Sequence, residues 1–338
     1  MLFDRVYRLL VGQKGQSKGL EISELRIQFD IEKSAKKNPN KSSIKIYNLT
    51  KATRTELEKP NVRCVLYAGY KDQDGPLLIF QGDVTFAWTQ FDLPNVITEF
   101  ELGDGAAAIR DTTISVGYDK GVNSKQILTD VAKKMDTPLV IPSNLAERVW
   151  ENGLSFFGPA RSLLDKVTKG SKSEWSIQNG NLQVIETGMV TTRQGIVISA
   201  TSGLIKSPER ERAAKDGASK KSSTASDDSD EETVAGSEPA KGIDGWRVKT
   251  LLMPTLNPGD RVELDSRSVQ GVFRIQELKH TGDNWEGDWQ TEMKLIDPAA
   301  PLEGGKKGKG KKSSHGGTAD RGVGPHKTLT MDAFTSKA

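Results

Sequence analysis

Between Val62 and Tyr70 every second residue is apolar or small, with Val62, Cys64, Leu66 and Ala68 on one face. A period of two marks a strand with one buried face. The same alternation runs from Leu2 to Val11 and from Leu25 to Ile31. In the latter, Leu25, Ile27, Phe29 and Ile31 share one face and Arg26, Gln28 and Asp30 the other. Ser43 to Tyr47 adds a short strand, and Ala52 to Lys59 reads as a short helix stopped at Pro60, because the residue before a proline is driven out of the helical region. Leu77 to Trp88, broken at Gly82, and Val96 to Leu102 are further strands, with turns at Asp72 to Gly75 and Asp92 to Asn95. Strands at this spacing with one short helix predict a closed or nearly closed antiparallel barrel over residues 1–105.

The pattern then changes period. Ile127, Leu128, Val131 and Met135 fall at helical spacing within Ser124 to Met135, with Asn123 or Ser124 as cap. Phe156 to Lys169 repeats this with Leu163, Leu164 and Val167 inward. Two short strands follow, Glu174 to Gln178 and Leu182 to Glu186, joined by Asn179-Gly180, a dipeptide whose tolerance of positive φ suits a two-residue hairpin. Residues 106–188 therefore read as a small α/β region.

A second strand system starts at Gly195 to Ala200 and resumes at Trp246 to Met253, Arg261 to Leu264, Gly271 to His280 and Trp289 to Ile296, divided by Asn257-Pro258-Gly259 and Gly282-Asp283-Asn284. Residues 189–206 and 246–300 are assigned to this second barrel. Between them, residues 207–245 are Lys, Ser, Ala, Asp and Glu with almost no large apolar side chain, a solvated insertion. Residues 301–338 form a Gly/Lys-rich basic tail. These two stretches account for an overall content of 35% hydrophobic and 6% aromatic residues, low for a globular chain. The expected fold is mainly β, with two antiparallel barrels flanking a small α/β middle.

Charge and chemistry narrow the function classes. The net charge is only +3, with 48 basic and 45 acidic residues, so no global field draws the chain to nucleic acid or an anionic membrane. The N-terminus has no secretory pattern and no segment reaches the ~18 apolar residues of a membrane span, so synthesis and folding in a cytoplasm are expected. Cys64 sits on the inward face of its strand, which makes it a core residue, and intrachain disulfides are excluded. The histidines are His280, His315 and His326, none at ligand spacing with Cys or carboxylate, so neither a metal site nor a Ser-His-Asp triad is expected.

Gly103-Asp104-Gly105 followed by Ala106 to Ala108 matches a dinucleotide fingerprint only superficially, because its strand belongs to an antiparallel meander rather than a βαβ unit. These glycines are expected to turn the chain out of the barrel. Gly12 to Lys18 lacks the second glycine of a phosphate loop, and the acidic run Asp227 to Glu232 lacks the glycine and terminal Glu of a calcium loop. Glu99 and Glu101 alternate with Thr98 and Phe100 and share the outer face of a strand, which is not the arrangement of a glycosidase pair. No catalytic, cofactor or metal residues are assigned. The basic tail lacks interleaved aromatics to stack bases, so specific nucleic-acid binding is not expected.

Several strings, in this order along the chain, resemble the central baseplate hub proteins of contractile-tailed bacteriophages, a family related to the hub part of tail-like secretion spikes. They are IKIYNLT over 44–50, VRCVLYAGY over 62–70 and IFQGDV over 79–84; GPARSLLD over 158–165 leading into WSIQNGNLQVI over 175–185; and SGLIKSP over 202–208, LLMPTLNPGD over 251–260, GVFRI over 271–275 and HTGD over 280–283 with Trp289. The resemblance covers most of residues 1–300. It implies barrels like those of tail tube proteins, two per subunit, in a homotrimer that joins a six-fold tail tube to a central spike within the virion tail baseplate.

The partners it implies are the tail tube and spike proteins, with the tape measure and baseplate wedge proteins beyond them, and assembly in the host cytoplasm. The insertion and the tail have no counterpart in the family pattern. Lys306, Lys307, Lys309, Lys311 and Lys312 are expected to bind an acidic surface of a neighbour or to project into the lumen. The alternative readings are a tail-associated cell-wall hydrolase and a binding module that uses the basic tail.

Overall fold

The structure is a computed structural model that describes residues 4–14, 19–35, 41–72, 75–142, 145–191, 193–211 and 245–298, all within the first of two compact units, Met1–Glu303. The first strand set comprises β1 (Arg5–Gln13), β2 (Leu20–Ile22), β3 (Ile27–Ser34), β4 (Lys41–Tyr47), helix α1 (Lys51–Leu57), β5 (Val62–Tyr70), β6 (Gly75–Asp92) and β7 (Asn95–Gly103). The Thr50 hydroxyl caps α1 by accepting the Thr53 N–H at 3.2 Å, which satisfies one of the donors a helix start leaves open.

The middle comprises α2 (Ala106–Asp111), β8 (Thr113–Tyr118), β9 (Val122–Asn123), α3 (Ser124–Lys134), β10 (Leu139–Val140), β11 (Val149–Trp150), β12 (Leu154–Pro159), α4 (Ala160–Gly170), β13 (Ser173–Gln178) and β14 (Asn181–Glu186). Asn123 caps α3 through its side-chain oxygen, 2.8 Å from the Gln126 nitrogen. The β13–β14 hairpin turns on Asn179 and Gly180 at φ 51° and 75°, the two positive values a type I′ turn needs. One expected helix starts later than its apolar spacing implied. Phe156 to Pro159 is strand, paired with β8 from Phe156 opposite Val116 to Pro159 opposite Thr113, and α4 begins only after Pro159, whose ring cannot continue a helix from its N-terminal side.

The second strand set is β15 (Ile196–Ser199), β16 (Glu209–Glu211), β17 (Gly245–Leu251), β18 (Arg261–Asp265), β19 (Gln270–Asp283) and β20 (Trp289–Ile296). Two boundaries shift. Glu209–Glu211, placed in the insertion by composition, pairs with β17. The expected break at Gly282-Asp283 is still strand, with Gly282 opposite both β3 and β20 and Asp283 opposite β3. Of the insertion, residues 212–244 lie outside the described residues.

The strands join into one 13-stranded sheet in the order β16-β17-β20-β19-β3-β4-β7-β6-β5-β1-β2, with β15 and β18 attached beside β19. The seam between the sets is the antiparallel pairing of β3 with β19, from Gln28 opposite Asp283 to Ser34 opposite Glu277. Three apolar cores follow the three segments. The first gathers Leu9, Ile31, Ile44, Leu66 and Phe100, together with Leu252 and Trp289 from the second set. The middle core packs Ile127, Leu128, Leu163, Leu164 and Val167 against Trp175 and Val184, and the last packs Ile198, Val248, Val262, Ile275 and Leu295. Each such side chain contributes about 1.5–3 kcal/mol when fully buried.

Candidate assembly surface

The residues that could have carried chemistry are mostly enclosed. Cys64 is buried in the first core, and burial pushes its thiol up to about 12, so no thiolate is available near neutral pH. His280 is fully buried, with Nδ1 2.9 Å from Thr291 Oγ1. Burial, with a smaller push from the Lys33 ammonium, lowers its pKa well below the usual imidazole value. Glu99 lies on the outer sheet face, 3.2 Å from Lys45 Nζ. Gly105 starts the six-residue α2 at φ 64°, with the Ile177 side chain occupying the space a Cβ would need. That glycine meets a packing requirement. His315, His326, the acidic run Asp227 to Glu232, and Lys306, Lys307, Lys309, Lys311 and Lys312 lie outside the described residues.

A buried polar junction ties the middle to both strand sets. Asp104, at the end of β7, accepts the backbone N–H groups of Asn179 and Gly180 at 2.6 and 2.9 Å. Lys33 is buried and donates to Asn257 Oδ1 at 3.0 Å. Burial drives the two ionisable groups in opposite directions, raising the Asp104 carboxyl and lowering the Lys33 ammonium, while their mutual attraction pulls each partly back. Asp260 accepts from the Thr191 hydroxyl at 2.6 Å and from the Asn257 N–H at 2.9 Å, with Arg193 at 3.4 Å. Gln178 donates to the Ser34 carbonyl and Gln183 to the Pro258 carbonyl. Arg274 on β19, fully buried, pairs with Glu174 on β13.

Alternation carried a signal for part of this junction. It places Lys33 inward after Ile27, Phe29 and Ile31, a position where a charge needs a partner. The partners themselves come from residues far away in the chain.

The outer face of the sheet is open. Register aligns Trp88, Glu99, Lys45, Gln28 and Asp283 in one row across β6, β7, β4, β3 and β19, and Phe86, Glu101, Ser43, Asp30 and Thr281 in the next. A groove of about 450 Å³ follows the inner part of these rows and is rimmed by Glu286 and Asp288. Its charges are partly matched: Lys279 to Asp30 at 2.7 Å and Arg26 to Asp283 at 2.7 Å. At the β6 end the Phe86 and Trp88 rings stack at 5.4 Å. Among the described residues no helix is long and apolar enough to cross a membrane.

The frame is a 13-stranded sheet tied to a small α/β body by a buried polar junction and by the Arg274–Glu174 pair. The chain belongs to the family described as "Baseplate hub gp41", whose profile matches residues 9–213. None of the curated proteins matches it in sequence. Solved structures share the fold. The chain is similar to a 43 kDa tail protein of prophage MuSo2 from Shewanella oneidensis, with 12% identity and a TM-score of 0.57 over 87% of this chain and 99% of that one. It is likewise similar to a tail protein from Neisseria meningitidis MC58, with 12% identity and a TM-score of 0.59 over 87% and 98%. The E. coli c3393 protein, a component of the type VI secretion system, shares 8% identity at a TM-score of 0.53 over 85% and 76%. The family is one of structural baseplate hub proteins, part of the virion tail.

Proposed function

We propose that the chain is a subunit of a homotrimeric hub that joins the six-fold tail tube to the central spike. The observation that carries this reading is the β3–β19 seam, which holds two strand sets side by side in one sheet. Three subunits then offer six sheet segments around an axis, which matches three-fold to six-fold symmetry without a second protein. In this reading residues 1–105 and residues 189–206 with 246–300 act as the two tube-like modules, and residues 106–188 form a bracket outside them. Tube and spike proteins are the direct partners, tape measure and wedge proteins the further ones, and assembly takes place in the host cytoplasm.

Lys306, Lys307, Lys309, Lys311 and Lys312 bind an acidic surface of a neighbour or line the lumen. Removing residues 302–338 weakens assembly more at low than at high salt if the tail acts through long-range attraction, and equally at all salt concentrations if it does not. Light scattering on the protein alone and mixed with the spike protein tests the ring itself. A trimer, or a monomer that trimerises on the spike, supports it. A monomer indifferent to the spike overturns it.

A further inference from the structure

Among the described residues β8 pairs with β12 alone, from Thr113 opposite Pro159 to Tyr118 opposite Leu154, and its other side has no strand. The phase of the bonds follows from one of them, in the same register: the Ala160 N–H donates to the Thr112 carbonyl at 2.9 Å. Bonded pairs alternate along an antiparallel ladder. Ile114, Val116 and Tyr118 therefore bond to β12, while Thr113, Ser115 and Gly117 turn their N–H and C=O groups away from it. Pro159, which has no N–H, sits opposite Thr113 at a position where none is needed. Ser115 and Gly117 are exposed, and the space beside the Gly117 Cα is open.

A groove of about 570 Å³ separates β8 from α3. Ile114 and Val116 line its β8 wall and Val131 its α3 wall, while among the described residues none of β12 lines it. Its α3 lip carries Lys133 and Lys134, both exposed, against one acid, Asp130. Among the described residues neither lysine is held in an ion pair. An apolar trough between an unpaired strand edge and a helix suits uptake of an extended peptide as an added strand, with backbone bonds giving affinity and alternate side chains specificity.

We propose that this groove takes an extended segment of a partner protein as a strand added to β8, with β-branched side chains against Ile114, Val116 and Val131 and a carboxylate beside Lys133 and Lys134. Two observations select this occupant. The free backbone groups of three alternate residues call for a strand, and the surplus of base at the lip calls for an acid. The groove lies in the α/β middle, and the inference does not rest on the ring reading above.

The test uses the full chain and a labelled, end-blocked peptide, Glu-Val-Thr-Val-Thr-Val-Glu-Ser, titrated by fluorescence anisotropy. Binding should saturate, and hydrogen exchange at the Ser115 and Gly117 amides should slow at least about tenfold. Ser115→Pro removes an N–H that faces the groove and none that β12 uses, so it should keep the Tm and weaken binding at least about tenfold. The same peptide N-methylated at its central residues should lose as much with the chain unaltered. Lys133→Glu with Lys134→Glu should reverse the preference, toward a peptide with Lys at both Glu positions. No saturation up to ~1 mM peptide, or equal binding of the N-methylated peptide, overturns the proposal and leaves the ring untouched. A lower mass of the peptide-free chain in Ser115→Pro assigns the edge to a second copy and overturns it as well.

Discussion

The carboxylate of Asp104 accepts the backbone N–H of Gly180 at 2.9 Å although 76 residues separate them. A second bond from the Asn179 N–H completes the cradle, and the end of β7 thereby holds the tip of the β13–β14 hairpin. Replacing Asp104 by Ala leaves two buried donors unmatched and should cost about 2–4 kcal/mol. Asp104→Asn keeps one acceptor oxygen and should lose roughly half as much. Urea unfolding at constant m measures both.

Arg274 and Glu174 make the second tie. Glu174→Gln leaves the guanidinium buried without its counter-charge and should destabilise by about 3–5 kcal/mol. The double variant Glu174→Leu with Arg274→Met removes both charges and should recover most of that loss. A double variant as unstable as the single one would show that the pair does more than satisfy itself.

His280 gives a pH dependence whose sign is fixed. Its folded pKa lies well below 6.5, so below about pH 6.5 the unfolded chain takes up a proton that the folded chain does not. Its contribution is complete above that pH and is lost as the pH falls toward the folded pKa, at about 1.4 kcal/mol per pH unit. The raised Asp104 carboxyl acts in the opposite sense, because its folded form binds a proton more readily than its unfolded form in the acid range. The His280 share is therefore isolated by difference. His280→Asn, which can still reach Thr291, should be less stable than wild type at neutral pH and should close that gap by pH 5.5. A gap independent of pH would refute the assignment.

Gly180 holds φ 75° in a turn whose other residue, Asn179, is also left-handed. Gly180→Ala should cost about 1 kcal/mol from backbone strain alone. Its double variant with Asp104→Ala should lose less than the sum, because both act on the same turn. A thermodynamic cycle from four denaturation curves gives the coupling directly.

The strands were legible where one face is buried and the other wet, and β5 begins and ends where alternation places it. The Asn179-Gly180 turn and the Asn123 cap were legible because each is settled by residues within a few positions. Phe156 misled because aromatic and leucine positions fit both periods over a short run, and only pairing with β8 decides between them. Glu209–Glu211 has no apolar pattern at all; its strand geometry comes from β17. The same holds for the polar junction. Lys33 announces that it needs a partner, but Asn257, 224 residues away, is supplied by tertiary structure. The family resemblance rested on strings taken in their order along the chain, and the family profile matches residues 9–213.

The seam between β3 and β19 also sets an order of events during synthesis. Residues 28–34 emerge early and must wait for residues 277–283 before that side of β3 is paired. At ~5–20 residues per second the interval is on the order of 10–50 s. Throughout it the nascent first strand set carries an open strand beside its core. Pairing at such sequence separation is slow to form, so subunits on the same polysome face a period in which β3 of one can be captured by another, and a hub of this construction depends on its late strands arriving before its neighbours do.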